Sequence, residues 1–273
     1  MLQRYLDQVR MRRPRVHCIT NYITANDCAN ILLACGASPI MADDPAEAEE
    51  IVTHCQGLEL NMGTLSESHI RAMLLAGKKA NQLGIPVVLD PVGVGASRFR
   101  RDAAKKLLDQ LQIAVIRGNL SEMRALATDR LNQGGIDAQS GDRITGNNLS
   151  EIAGFARSFA ADTGAVIAIT GETDVVADSR QAWAICNGHP MMSRVTGTGC
   201  QLSALTAAFA AANTENLLEA VVTAVCAMGV CGERAGERLA PTEGTMTYRS
   251  YLIDAVSLLD GQSLETDAKC RIL

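Results

Sequence analysis

The stretch Arg194-Val195-Thr196-Gly197-Thr198-Gly199-Cys200 stands immediately before a long apolar run. Two glycines so close together let the backbone turn tightly and gather several N–H groups at one point. A helix beginning there adds the partial positive charge of its N-terminus. Gly197, Thr198, Gly199 and Cys200 thus form a candidate anion hole, suited to charge developing on a transferring phosphoryl group. Cys200 falls in the first turn, where a thiol is expected to have a lowered pKa and substantial thiolate character. Such a thiolate accepts a proton from a substrate hydroxyl. The plainer readings are a common Gly-x-Gly turn and a structural cysteine.

Four strand-like runs end in further chemistry. Leu58–Met62 leads to Gly63-Thr64. Ile85–Asp90 leads to Pro91-Val92-Gly93-Val94-Gly95. Ile113–Arg117 leads to Gly118-Asn119, with Glu122 one turn on, and Ala165–Thr170 leads to Gly171-Glu172. In an open parallel sheet, ligands sit beyond the carboxyl ends of the strands. Asp90 and Glu122 with Arg117 and close glycine backbone are what a metal–phosphate site needs. Taken singly, Asp90 reads equally well as a turn cap and Arg117 as half of a surface ion pair.

The elements that must position these residues follow a βα rhythm. Besides the four runs, Ser38–Ala42 reads as a strand. Helices are expected over Ile23–Ala34, Pro45–His54, Ser66–Leu83, Arg101–Leu111 and Leu149–Thr163. Asp44 is placed to cap the Pro45 helix and Asn148 the Leu149 helix. Several strands are apolar throughout, as strands covered on both faces must be. Asp174–Ala177 and Ala182–Cys186 resemble a hairpin turning at Asp178-Ser179-Arg180-Gln181. Long helices then follow: Gly199–Ala212, Leu217–Leu239 and Gly244–Leu259. The polar segment Thr128–Asn148 reads as a loop. With no internal repeat and no linker, the pattern implies one domain over residues 1–273. It is an α/β, three-layer α-β-α sandwich with a mostly parallel central sheet.

Composition narrows the function. The net charge is −5, and the basic run Arg10, Arg12, Arg13, Arg15 is short, so no footprint for nucleic acid is expected. The apolar runs Leu202–Ala212 and Ala220–Cys231 fall short of the ~20 residues that span a bilayer. Met1–Arg15 is amphipathic and charged, without the apolar core of a signal peptide. Nine cysteines, an odd number with no CxxC, point to free, mostly buried thiols in a reducing cytoplasm. Cys226 and Cys231 share a helix with no further ligand to complete a metal set. His17, His54, His69 and His189 show no ligand spacing. There is no G-x-x-x-x-G-K-[ST], no complete dinucleotide fingerprint, no protein-kinase signature set, no H-E-x-x-H and no G-x-S-x-G.

In this order, eight segments resemble hydroxyethylthiazole kinases of the ribokinase-like superfamily. They are Val16–Tyr22, Asn26 through Ala29-Asn30, Ala37–Ala42, Asn61–Thr64, Asp90–Gly95, Arg117–Glu122, Thr170–Asp174 and Gly197–Cys200. The resemblance runs from about Val16 to about Leu259. It implies a ribokinase-like fold and transfer of the ATP γ-phosphoryl group to 4-methyl-5-(2-hydroxyethyl)thiazole. By the same resemblance, Met41 packs on the thiazole and Gly197 lies at its hydroxyethyl end, with Asn26 and Gly63 lining the pocket. Arg117 and Thr170 contact ATP, Asp90 and Glu122 hold Mg²⁺ through water, and the Gly197–Cys200 turn forms the anion hole. It also implies a homotrimer with thiazole sites between subunits. One departure stands out: most of the wider superfamily ends this turn in Gly-x-Gly-Asp, where this chain has Cys200.

Three rivals remain at this point. One is another ribokinase-like kinase, acting on a hydroxymethylpyrimidine or a sugar. The second is a cysteine-nucleophile hydrolase using Cys200, which needs a histidine within reach; His189 is the nearest candidate in sequence. The third is a silent sensor of thiazole or ATP, which the Asp90, Glu122 and Gly-x-Gly pattern disfavours.

Overall fold

The computed structural model of the chain describes residues 1–128, 144 and 148–273. The first half runs α1 (Gln3–Arg12), β1 (Arg15–Ile19), α2 (Ala25–Cys35), β2 (Ser38–Met41), α3 (Ala48–Val52), β3 (Gly57–Asn61), α4 (Glu67–Gln82), β4 (Val87–Asp90), α5 (Arg98–Gln110), β5 (Val115–Asn119) and α6 (Leu120–Thr128). The second half runs α7 (Leu149–Thr163), β6 (Val166–Thr170), β7 (Asp174–Ala177), β8 (Ala182–Ile185), α8 (Thr198–Ala212), α9 (Leu217–Arg238), α10 (Thr245–Leu258), α11 (Gly261–Asp267) and β9 (Cys270–Ile272). Short 3-10 turns occupy Val94–Ala96 and Pro190–Arg194.

Among the described residues, nine strands form one sheet in the order β2-β1-β3-β4-β5-β6-β7-β8-β9. Strands β2 to β6 are parallel, and β7, β8 and β9 close the far edge antiparallel. The hairpin between β7 and β8 is set by Asp178, whose Oδ1 accepts from the N–H groups of Arg180 and Gln181. Two cores flank the sheet. One joins it to α1, α2, α8, α9, α10 and α11, the other to α3, α4, α5, α6 and α7. Hence the helix–sheet–helix layering expected from apolar parallel strands.

Strand pleating decides which side chains meet the site. Successive strand residues point to opposite faces. Val87 and Leu89 pack in the core of α3–α5, whereas Val88 packs in the core of α8. Asp90 therefore shares the face of Val88, under α8. The same parity puts Glu59 and Asn61 opposite Leu58 and Leu60, and Arg117 on the face of Val115. Helix α8 presses close enough that a Cβ built on Gly57 lies 3.0 Å from the Ala207 carbonyl.

Several boundaries differ from the sequence reading. β1 and β9 carry too few alternating residues to stand out, and they pair only through long-range neighbours. Arg15, the last of the short basic run, opens β1. Asp44 caps a turn, not a helix: its Oδ1 accepts from Ala46 N at 2.8 Å, while α3 begins only at Ala48 behind Glu47. α5 starts at Arg98, because Ser97 accepts from Arg100 N and serves as N-cap. Asn148 does stand at the N-cap of α7. The stretch read as a loop, Thr128–Asn148, lies almost entirely outside the described residues. No helix among the described residues is long and apolar enough to cross a membrane.

Candidate active site

The Gly-x-Gly turn forms the N-terminus of α8. Gly197 takes φ +90° at the N-cap, and Gln201 N is bonded back to its carbonyl at 2.8 Å. The amides of Thr198, Gly199 and Cys200 precede any intrahelical acceptor, as first-turn N–H groups do. A Cβ on Gly197 would overlap the Thr24 methyl, so glycine is required there by both conformation and space. A Cβ on Gly199 would lie 2.6 Å from Arg117 Nη1. The guanidinium thus rests directly on the turn.

Arg117 spans two strand ends. Its Nη2 donates to Thr170 Oγ1 at 2.7 Å, and its Nη1 stands 3.6 Å from Asp90 Oδ2. Asp90 is fully buried. Its Oδ2 accepts from Asn61 Nδ2 at 2.9 Å and from Ser203 Oγ at 2.7 Å, while Oδ1 has no partner. Burial pushes the Asp90 carboxyl up to about 6, opposed by the Arg117 charge and the Ser203 hydroxyl. The chain of bonds continues from Asn61 Oδ1 to Asn21 Nδ2 at 2.9 Å, and from the same nitrogen to Cys200 Sγ at 3.2 Å. Asn21 Oδ1 in turn accepts from the Thr24 N–H and hydroxyl.

The thiolate expectation for Cys200 is not met. Burial raises its pKa, and the neighbouring Asp90 carboxylate raises it further. They outweigh the side-chain hydrogen bonds of Thr24 and Asn61, which lower it. No histidine is among its partners. His189 is engaged elsewhere: its Nδ1 accepts from Met191 N and its ring stacks on Tyr248 at 5.7 Å. Among the described residues the hydrolase reading lacks the histidine it needs beside Cys200. The histidines are structural where the structure describes bonds for them, as with His17 Nε2 at 2.7 Å from the Ala42 carbonyl. All nine cysteines are free.

Glu122 is engaged in backbone bonding. Its Oε2 accepts from Asn119 N and its Oε1 from Gly93 N, both at 2.9 Å, while Asn119 Oδ1 accepts from Glu122 N at 2.8 Å. This reciprocal cap at the start of α6 ties the β5 end to the β4 loop. Gly63 is set by Asn61, whose Oδ1 accepts from its N–H at 2.9 Å; a Cβ there would stand 2.6 Å from the Asn21 Cβ. Met41 and Asn26 stand apart from this network. Met41 ends the edge strand β2 and is 39% exposed. Asn26 is exposed on α2, its Oδ1 accepting from Asn30.

The sequence reading assigned no role to Asn21, Asn61, Ser203 or Glu59. Ser203 has a signal: it lies three residues beyond Cys200 on a largely apolar helix, hence on the same face. Glu59 is fully buried with neither carboxyl oxygen bonded, and burial followed by the Asp90 charge raises its pKa well above the carboxylate range. No cluster of three or more metal-binding side chains occurs among the described residues.

A mostly parallel sheet whose strand ends face a glycine cradle, with arginine and aspartate across from it, is an arrangement suited to a small-molecule kinase. A ribokinase-like protein from Enterococcus faecalis shares this fold alone, with a TM-score of 0.58 at 15% identity over 93% of this chain and 90% of its own. The chain belongs to the hydroxyethylthiazole kinase family, whose model matches residues 6–262. It is 53% identical over 269 residues to the hydroxyethylthiazole kinase of Clostridium acetobutylicum, covering 98% of each chain. With that of Desulfovibrio desulfuricans it shares 46% over 271 residues, covering 96% of this chain and 95% of the other. The solved hydroxyethylthiazole kinase of Pyrococcus horikoshii superposes with a TM-score of 0.88 at 35% identity, covering 100% of this chain and 98% of that one.

Proposed function

We propose that the chain transfers the γ-phosphoryl group of ATP to the hydroxyl of 4-methyl-5-(2-hydroxyethyl)thiazole, in thiamine biosynthesis or salvage. The observation that carries this reading is the convergence at the first turn of α8. Three amides without helical acceptors, the Arg117 guanidinium and the Asp90 carboxylate meet within one patch. Phosphoryl transfer through a loose transition state needs mainly positioning and charge stabilisation, which such a patch supplies. Arg117 and Thr170 hold the nucleotide phosphates, and the amides of Thr198, Gly199 and Cys200 take the oxygens of the moving group. The substrate hydroxyl lies at Gly197, with Gly63 and Asn26 walling the pocket and Met41 on the ring. Cys200, held as a thiol, shapes the cradle rather than acting as base.

The residues present suit Mg²⁺. The buried Asp90 Oδ1 lacks any partner, and each Glu122 oxygen keeps a lone pair beyond its single N–H bond. Mg²⁺ favours such oxygen donors and commonly retains waters. When bound, it neutralises charge on the nucleotide phosphates. The exposure of Met41 on an edge strand, with Tyr22 and Ile23 also exposed, supports a homotrimer that completes the thiazole pocket between subunits. Nine free cysteines support work in the reducing cytoplasm.

ADP release by the purified protein tests the reading directly. Turnover is expected with the thiazole alcohol, ATP and Mg²⁺, exceeding that with a hydroxymethylpyrimidine or a sugar. ATP left intact beside the thiazole alcohol overturns the activity. A monomer by light scattering at assay concentration overturns the shared pocket.

A further inference from the structure

Arg100 sits in the first turn of α5, and its guanidinium points under the loops that follow β3 and β4. Nη1 donates to the carbonyls of Met62 and Val92, the latter at 2.8 Å, and Nη2 donates to the Gly63 carbonyl at 2.6 Å. No carboxylate pairs with it among the described residues. Three carbonyls from two separate strand ends therefore converge on one planar cation. The fork geometry matters, because five fixed N–H donors serve several acceptors in one plane where an ammonium cannot.

The two loops belong to different halves of the site. Gly63 lies beside Asn21, which touches Cys200. Val92 follows Asp90, whose backbone carbonyl already accepts from both Met62 N and Val92 N. The next turn is at Gly93 with φ +65°, where a Cβ would stand 3.8 Å from Arg100 Cδ, and its N–H is bonded to Glu122. Arg100 thus closes a ring: Gly63 on the alcohol side, Asp90 and Glu122 on the phosphate side.

We propose that Arg100 is a positioning residue that locks the alcohol-side loop at Gly63 to the phosphate-side loop at Asp90–Gly93, so that hydroxyl and γ-phosphate are held in register. This rests on the phosphotransfer reading above. Misplacing reacting groups by a fraction of an ångström lowers turnover without abolishing binding. The lock touches neither substrate directly, so its loss should fall on kcat more than on the KM for ATP.

The test uses the full chain with ATP, Mg²⁺ and the thiazole alcohol. Arg100→Ala is expected to lower kcat by about tenfold or more while the KM for ATP moves by less than about threefold. Millimolar methylguanidine should restore part of the lost kcat, leave the wild type unchanged, and outperform methylammonium. An Arg100→Ala enzyme within about twofold of wild-type kcat overturns the proposal. So does a folded variant that methylguanidine fails to rescue, or that methylammonium rescues equally. If Arg100→Ala does not fold, Arg100→Lys replaces it, with a kcat loss of about fivefold expected at near-wild-type melting temperature. Arg100→Lys within about twofold of wild-type kcat likewise overturns the idea. A wild type inactive on the thiazole alcohol would instead strike the phosphotransfer reading itself.

Discussion

Asn21 Nδ2 stands 3.2 Å from the sulfur of Cys200 while donating to Asn61 Oδ1 at 2.9 Å. One amide nitrogen thus links the cradle residue to the bond chain that ends on Asp90. Cys200 is a member of a polar network, held from beneath, and its raised pKa follows from that burial and from Asp90.

On the proposed reading Cys200, its pKa raised by burial and by Asp90, shapes the cradle and does not serve as the base. Cys200→Ser is therefore expected to keep kcat within about tenfold of wild type, and Cys200→Asp to turn over as well. Steady-state kinetics measures both. Alkylation of Cys200 by iodoacetamide should accelerate only above the pH of an ordinary thiol. A midpoint below about 8 would contradict the assignment. Complete loss of turnover in a folded Asp variant would count against a role shared with the superfamily's aspartate.

Arg117 carries the charge on the cradle. Arg117→Ala should lower kcat/KM by about 10²–10³-fold and raise the KM for ATP, since it removes a fixed cation from where charge develops. Arg117→Lys should recover only part, because one ammonium does not reach Thr170 and Asp90 in a single plane. Kinetics with ATP varied checks this; an unchanged KM for ATP in both variants would remove Arg117 from the nucleotide.

Gly197 and Thr24 are coupled by space. Gly197→Ala is expected to cost about 2–4 kcal/mol in stability, from the positive φ and the overlap with the Thr24 methyl. Adding Thr24→Ser removes that methyl and should return about half of the loss, leaving the backbone cost of about 1–2 kcal/mol. Denaturant unfolding of both single variants and the double variant measures the coupling. Additive effects would mean that the two residues do not touch as described.

Asp90 makes stability pH-dependent in a defined direction. Its folded pKa is raised to about 6, so the native state holds a proton that the unfolded chain has lost at lower pH. Its contribution favours folding below about 4, declines as pH rises, and is a constant penalty above about 6. In EDTA without nucleotide, Asp90→Asn lacks this slope. Its melting temperature minus that of wild type should grow between pH about 4 and about 6, then level off, corresponding to about 1–3 kcal/mol. A difference that shrinks over that window would reverse the sign.

Much of this protein was legible because its signals are local. The βα rhythm, the glycine turn before α8, and the strand-end positions of Asp90, Arg117 and Thr170 all lie within short windows. The helix start near Ala48 was misread because Asp44 and Pro45 look like a cap and first turn, yet form only a turn. β1 and β9 escaped notice because a short run such as Arg15–Ile19 becomes a strand through its neighbours, here β2 and β3.

The amino-acid order by itself determined the layered α/β architecture, the family motifs and the positions of the residues proposed to bind phosphate. These follow from apolar periodicity and from backbone freedom at particular glycines, both properties of adjacent residues. Tertiary structure alone decided that burial and Asp90 raise the Cys200 pKa, that both Glu122 oxygens accept from backbone amides, and that Asn21, Asn61 and Ser203 join Cys200 to Asp90. Those outcomes depend on burial and on partners as far as 179 residues away in the chain. Desolvation and hydrogen bonding at such range are set only when α8 settles onto the sheet.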